Sequence, residues 1–478
     1  MILLLYCLNV KVKGNSMSRI RNMTVGSPAK LLLSFAIPLI LTNLGQQLYM
    51  IVDAIIVGQG VGVEALAAVG ATDWTYWLAL WVMQALTQGF AILIAQHFGE
   101  GSGPKVKKAF AMTILLCAGL ALLLTGVCLL IAKPMLHLLE TPEPIFAMAS
   151  DYLTTMFSGI LVVMAYNLAA SILRALGDGK TPLIAMAIAA VTNVALDLLF
   201  VLVFHWGVVG AAVATVAAQL IAFFYCFAVL KRIELLRTSR EDWRPEGPVI
   251  KRLIALGFPL ALQHVLIAGG GMILQSAINQ QGLIFIAGLT ATNKIFGLLD
   301  SSAISLGFAI TTYMAQNYGA GRYRRIRLGM RKAALIAVTL SILIALVMFL
   351  GGRFILSLFI DASNPHAGEV LAVAYRYLSI VSAMLPALYL LYVFRSTLQG
   401  LGSTGASLLS GFMEFLVRVL AALIFVRLWG SSVILFAEPS AWVAAMAVLA
   451  LGCIRRVREI PTDDLPVSRE AERSRIPV

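Results

Sequence analysis

Two aspartates sit where the surrounding sequence leaves them no ordinary reason to be. Asp53 lies in QQLYMIVDAIIVG and Asp197 in AAVTNVALDLLFV, each with apolar residues on both sides. An ionised carboxylate inside hydrocarbon costs about 2.5–3.5 kcal/mol even on insertion scales, so each must face protein or water. Asn193 precedes Asp197 by one helical turn and shares its face. Thr215 and Asn167, in neighbouring apolar runs, offer further oxygen atoms. Carboxylate, amide and hydroxyl oxygens are hard ligands, the kind that take a proton or Na⁺. Asp53, Asn193, Asp197 and Thr215 are therefore a candidate cation site with Asn167 nearby. The alternative is structural, with Asp53 at an interface and Asp197 bonded only to Asn193.

A second polar set follows later in the chain: Gln263, His264, Gln275, Asn279, Asn293, Lys294, Asp300, Glu414 and Arg418. Glu414 and Arg418 stand one turn apart, so a mutual ion pair accounts for them. Lys294 and Asp300 do not face each other on one helix, and His264 has no second His or Cys at ligand spacing. Gln46, Gln263 and Asn279 are candidates for contacting a substrate or supporting the site. No metal beyond Na⁺ is expected. Pro38 removes a backbone bond within its helix and bends it, either as a moving hinge or as a fixed kink. HExxH, GxxxxGK[ST] and a Ser–Lys dyad in context are absent, so the chain reads as a non-enzyme without a cofactor. Lacking an ATP site, any work it performs must draw on an ion gradient.

The elements that hold these residues are apolar. Of the 478 residues, 60 % are hydrophobic and 12 % charged, against roughly 25 % charged in soluble domains. The formal charge of +13 is spread in short clusters between apolar runs, which argues against nucleic acid as a partner. Cys7, Cys117, Cys128, Cys226 and Cys453 show no CxxC spacing and read as small hydrophobes. Crossing ~30 Å of hydrocarbon takes about 20 residues. Twelve runs qualify: 31–58, 65–98, 107–132, 146–174, 182–203, 208–230, 251–279, 284–316, 329–350, 371–398, 405–428 and 431–454. The expected fold class is an all-α membrane protein with twelve transmembrane helices in two parallel-repeat six-helix lobes. MILLLYCLNV at the start is too short to span and carries Lys11 and Lys13 after its apolar run, unlike a signal peptide. Residues 1–22 read as an upstream extension, with Met17 and Met23 as alternative starts.

Duplication shows in the sequence itself. AQHFGEG at 95–101 recurs as AQNYGAG at 315–321, each followed by a basic cluster and a new apolar run. At an offset of 225, SILRALG at 171–177 meets STLQGLG at 396–402 and LLFV at 198–201 meets LIFV at 423–426. At an offset of 221, Pro38 meets Pro259 early in each half. Six helices per repeat start both halves on the same membrane face, and such architectures hold substrate between their lobes. The expected organisation is an N-terminal cytoplasmic segment at 1–30, an N-lobe at 31–230, a polar linker at 231–250, a C-lobe at 251–454 and a cytoplasmic tail at 455–478.

MTVGSPAKLLLSFAIP at 23–38, VDAIIVG in the first helix, NVALD at 193–197, GVVGAAVAT at 207–215 and the repeated AQxxGxG resemble the multidrug and toxic compound extrusion (MATE) family over roughly 23–455. The resemblance implies antiport of Na⁺ or H⁺ against small organic cations or amphiphilic drugs. It points to the branch whose cation site matches Asp53, Asn193, Asp197 and Thr215 here, and to a proline, matching Pro38, whose bending accompanies protonation. The other branch has a glutamate where this chain has Gln263 and His264. The runner-up is a lipid-linked saccharide or peptidoglycan-precursor flippase of the same superfamily, whose cavity should be lined by Arg or Lys. The implied setting is the plasma (inner) membrane, with the lipid bilayer and small molecules as partners and the protein a monomer.

Orientation follows from Lys and Arg in short loops. Lys105, Lys107, Lys108, Arg174, Lys180, the run from Lys231 to Arg252, Arg322 to Lys332, and Arg455 to Arg458 fall on one side; Lys133, Arg353, Arg376 and Arg427 fall on the other. Both termini are thus expected in the cytoplasm. A reporter enzyme fused after residue 455 should be active only in the cytoplasm, and periplasmic activity there would overturn both helix count and orientation.

Overall fold

The computed structural model describes residues 20–360 and 365–465. The start at 1–19, with Cys7 and Met17, and the tail beyond 465 lie outside the described residues. Helices account for nearly all of the rest: α1 (Pro28–Gly60), α2 (Val63–Glu100), α3 (Gly103–Leu138), α4 (Glu143–Ser158), α5 (Ile160–Ala175), α6 (Lys180–Asp197) and α7 (Gly207–Leu230) form the first series. The second is α8 (Gly247–Asn279), α9 (Leu283–Gly319), α10 (Tyr323–Ser357), α11 (Ala367–Gly400), α12 (Thr404–Leu420), the short α13 (Val426–Trp429) and α14 (Ile434–Glu459). Among the described residues eleven helical spans are long and apolar enough to cross a membrane, and α4 with α5, taken as one bent span, makes the twelfth.

That span, expected as one run over 146–174, is broken by 48°. Thr155 and Ser158 donate their hydroxyls back to the carbonyls of Asp151 and Thr154, a pattern that bends helices. At the break, Gly159 lets α7 approach closely: a Cβ there would stand 2.4 Å from Val216 Cγ2. The chain also departs from plain α-geometry after Asp197, where Leu198–Val203 form a π-helical segment, and after α12, where Ala421–Phe425 do the same. These segments fall at matching places in the two repeats. So do the left-handed glycines that end or start helices: Gly62 with Gly282, Gly101 with Gly321, and Gly177 with Gly402.

The described residues fall into two compact units. Residues 20–23 and Ile37–Ala261 form one; Thr24–Ala36 and 262–465 form the other. The helices α1 and α8 therefore each change unit partway along, close to Pro38 and Pro259 respectively. The lobe boundaries expected at 31 and 251 fall before these points. Among the unbroken spans of the first unit α2 is the most buried and α3 the least; α9 is the most buried in the second. Leu122, Leu123 and Leu130 on α3, and Leu346, Val347 and Leu350 on α10, point outward, as lipid-facing helices require. Cys117, Cys128, Cys226 and Cys453 are buried free thiols packed as hydrophobes.

The segment read as a linker is folded against α3. Lys108 donates to the carbonyl of Arg244 at 2.8 Å, and Asp242 accepts the Ser239 backbone N–H at 2.6 Å. That backbone bond holds the Asp242 carboxyl below its usual range. At the other end α14 runs to Glu459, past the expected helix end at 454, and Arg327 binds the carbonyls of Ile460 and Pro461 just beyond it.

Close helix contact in the first unit depends on small residues. A Cβ on Gly89 of α2 would lie 2.4 Å from Gly257 Cα and 2.9 Å from the Leu256 carbonyl oxygen, both backbone atoms that cannot rotate away. Gly89→Ala should therefore cost about 1–3 kcal/mol through overpacking, read as a lower melting temperature in detergent. Gly119→Ala on α3, with nothing within 4 Å, is the control that should not lower it. Equal melting of both variants would contradict this packing.

Candidate functional site

The first unit brings Asp53 on α1, Asn193 and Asp197 on α6, and Thr215 on α7 into one polar cluster. Asp197 and Asn193 are 0 % and 1 % exposed, and Asp53 is half-buried. Asp197 is the last residue of α6, directly before the π-helical segment, a distortion that often marks functional sites. Asn193 donates through Nδ2 to Thr215 Oγ1 at 3.3 Å. The carboxyl groups of Asp53 and Asp197 approach within hydrogen-bonding reach of each other.

What distinguishes the cluster is its shortage of donors. Asp53 Oδ1, both carboxyl oxygens of Asp197 and Asn193 Oδ1 are buried without a protein hydrogen-bond donor. Buried polar atoms are nearly always paired, so such a group of acceptors calls for a donor from outside the chain. Two facing carboxylates cannot hydrogen-bond while both are ionised; a shared proton or an intervening cation would be needed to join them. Around them packs an apolar cluster that includes Ile56, Val57, Tyr152, Val201 and Val208, with Tyr76 and Val194 against it. Tyr49 and Tyr152 lie within electrostatic range of Asp53, and the Tyr76 hydroxyl bonds Gln219.

The remaining expected residues are placed differently. Asn167 on α5 donates to the carbonyl of Val163 in its own helix at 2.9 Å, so its amide N–H is engaged locally and not toward Asp197. Gln46 is half-buried two turns before Asp53 on α1. Pro38 lies inside an uninterrupted α1, and Thr42 donates its hydroxyl to the Pro38 carbonyl at 2.8 Å. Gln263 and Asn279 belong to the second unit. Gln263 is buried against Gly411 with Oε1 unpartnered, whereas Asn279 is exposed at the end of α8 and accepts from Gln275 at 2.8 Å. Sequence reasoning missed the tyrosines, although Tyr49 stands one turn before Asp53 and must share its face.

The second unit has its own buried polar group, built from opposite charges. Glu414 and Arg418 on α12 pair as their spacing requires, at 3.3 Å. The same Arg418 forks onto Glu438 of α14 at 2.9 and 2.7 Å, and Glu414 also binds Arg395 of α11. Arg395 reaches Ser410 as well, at 3.2 Å. Asp300 on α9 bonds the Tyr392 hydroxyl, and His264 lies near Arg395. Arg395 and Glu438 carried the same signal as Glu414, a charge inside an apolar run, and were passed over. Among the described residues no group of His, Cys, Asp and Glu could hold a metal ion through three or more such ligands.

The chain resembles known proteins over most of its length. The MatE family model matches twice, at 38–199 and 259–424, once in each repeat. A protein of Bacillus subtilis described as "Probable multidrug resistance protein YpnP" is 28 % identical over 397 residues, covering 82 % of this chain and 87 % of that one. Among solved structures, a MATE protein in a bent conformation superposes with a TM-score of 0.84 at 22 % identity, covering 92 % of this chain and 97 % of that one. A MOP-superfamily transporter from Pyrococcus furiosus, described as having a binding pocket of reversed polarity, gives 0.85 at 21 % identity, with 92 % and 98 % covered.

The second unit's charge network makes a definite demand on stability. Glu414 is shared between two buried guanidinium groups, and breaking a buried pair from one side costs about 3–5 kcal/mol. Glu414→Gln should accordingly lower the melting temperature of the purified protein clearly. An unchanged melting curve would show that the network contributes nothing to the fold.

Proposed function

This chain belongs to the MatE family, and from that premise we propose that it exports small organic cations or amphiphilic drugs by exchange for Na⁺ or H⁺, with Asp53 and Asp197 as the ion-coupling pair. The family consists of membrane transporters, so the protein is no enzyme, and its relatives are described as multidrug resistance proteins. The observation that carries the finer reading is the set of buried acceptor oxygens on Asp53, Asn193 and Asp197 with no donor among them. A proton joins the two carboxyls; Na⁺ is coordinated by the same oxygens with Thr215 beside them.

Exchange follows from differential affinity. A ligand indifferent to two states shifts neither, so ion and cargo must favour different ones. With the carboxylates charged, the first unit attracts a cation; with them neutralised by the coupling ion, that attraction is gone and the cargo leaves. Tyr49, Tyr76 and Tyr152 supply ring faces suited to an organic cation or a flat amphiphile. Pro38, where α1 has no backbone donor, is the natural bending point. The setting that fits is the inner membrane, with a monomer in the bilayer and both termini cytoplasmic. A lipid-linked saccharide carrier would need uncompensated guanidinium groups, but Arg395 and Arg418 are matched by Glu414 and Glu438.

In vesicles with ΔpH and ΔNa⁺ imposed separately, Asp197→Asn and Asp53→Asn should each abolish gradient-driven efflux of a fluorescent cation while the protein remains folded. Normal coupling in both variants would eliminate this site.

A further inference from the structure

The two repeats place different chemistry at the same position. The register that aligns LLFV with LIFV sets Asn193 against Arg418 and Asn167 against Tyr392. Both helices carry their π-helical segment shortly afterwards. In the first unit this position holds an amide oxygen among carboxyl oxygens that have no donor. In the second it holds a guanidinium bound on one side by carboxylates: Nε and Nη2 bind Glu438 at 2.9 and 2.7 Å, Nη2 also binds Glu414 at 3.3 Å, and Nη1 is buried without an acceptor. The cage is tight, since a Cβ on Gly270 of α8 would come 3.3 Å from Arg418 Cδ.

We propose that Glu414 and Glu438 form a second cation cage whose resident ion is the protein's own Arg418, so that the second unit holds a tethered cation where the first exchanges a free one. The comparison with the first unit rests on the reading of Asp53 and Asp197 as an ion site; the cage itself does not. Charge counting supports the assignment. Arg395 and Arg418 balance Glu414 and Glu438, while Asp300 is bonded by Tyr392 and His264 stands near Arg395. Removing Arg418 leaves Glu438, which is half-buried, without a counter-charge, together with a space shaped for a planar guanidinium. The bidentate fork to Glu438 favours a planar donor over a spherical ammonium. A tether makes the cage permanently filled, which confines ion exchange to the first unit and fixes α12 against α14 throughout the cycle.

The test is chemical rescue of Arg418→Ala in an Asp197→Asn background, where the first unit's site is silenced. Melting temperature in detergent is followed against millimolar methylguanidinium, Na⁺ or choline at constant ionic strength. Arg418→Ala should melt lower than its parent and recover saturably with methylguanidinium, less with Na⁺ and not with choline. The charge-balanced pair Arg418→Gln/Glu438→Gln should show no such response. Folded protein obtained only when methylguanidinium is present during purification would support the cage equally. A folded variant indifferent to every cation, or one lost in all of them, would overturn it. The parent Asp197→Asn protein has an intact cage, so failure of the ion-coupling proposal would leave this readout untouched.

Discussion

A polar atom surrounded by hydrocarbon must find its partner within the protein, and this constraint organises everything else in the chain. It makes every span helical, since only a helix bonds its own backbone. It also governs the hydroxyls. Thr42, Thr125, Ser305 and Thr397 each donate back to the carbonyl one turn earlier, which hides a polar group at no demand on a neighbour. Against that background of self-contained bonding, atoms left without partners stand out. Asp53, Asn193 and Asp197 hold several such atoms together in one place.

The duplicated scaffold meets this constraint in two ways. In the first unit the acceptors outnumber the donors, and balance requires something from outside. The second unit carries its own cations, so Glu414 and Glu438 are saturated from within. On the proposed reading, one arrangement is open to exchange with an ion and the other is closed by covalent attachment. A site that must release its ligand cannot also be fully bonded in the ligand's absence. An ion that bound these acceptors would stabilise the first unit by linkage. The carboxylates of the second network have no such dependence, although Arg395 Nε and Arg418 Nη1 are buried without an acceptor, and the network suits a part of the molecule that holds its helices together.

Helix distortions fall where this chemistry needs them. The π-helical segment after Asp197 shifts the register of α6 just past its buried carboxylate, and the α4–α5 break lies where α7 passes close by. Both follow from local causes, hydroxyl back-bonds at one and a widened turn at the other, and both act through tertiary neighbours. The prolines at 38 and 259 stand close to where α1 and α8 pass from one compact unit into the other. A helix that lacks a donor near such a crossing can bend without breaking a bond that it never had.

Much of this was legible in the residues alone, because hydrophobic length and one-turn spacing are local properties. Apolar runs set the spans, recurring motifs set the duplication, and the spacing of Glu414 and Arg418 set their pairing. The buried aspartates could be singled out for the same reason: a charge in an apolar run is costly wherever it lies. Tertiary structure decided the rest. Asp53 and Asp197 stand on separate helices and meet only through the tertiary fold, and nothing in their own segments specifies that neighbour. Arg395 and Glu438 joined the second network across helices, whereas Asn167 turned to its own backbone. Such choices depend on how closely helices approach, which here is set by glycines such as Gly89, Gly257 and Gly411. A glycine permits contact by lacking a side chain, so its sequence position tells that something comes near without telling what.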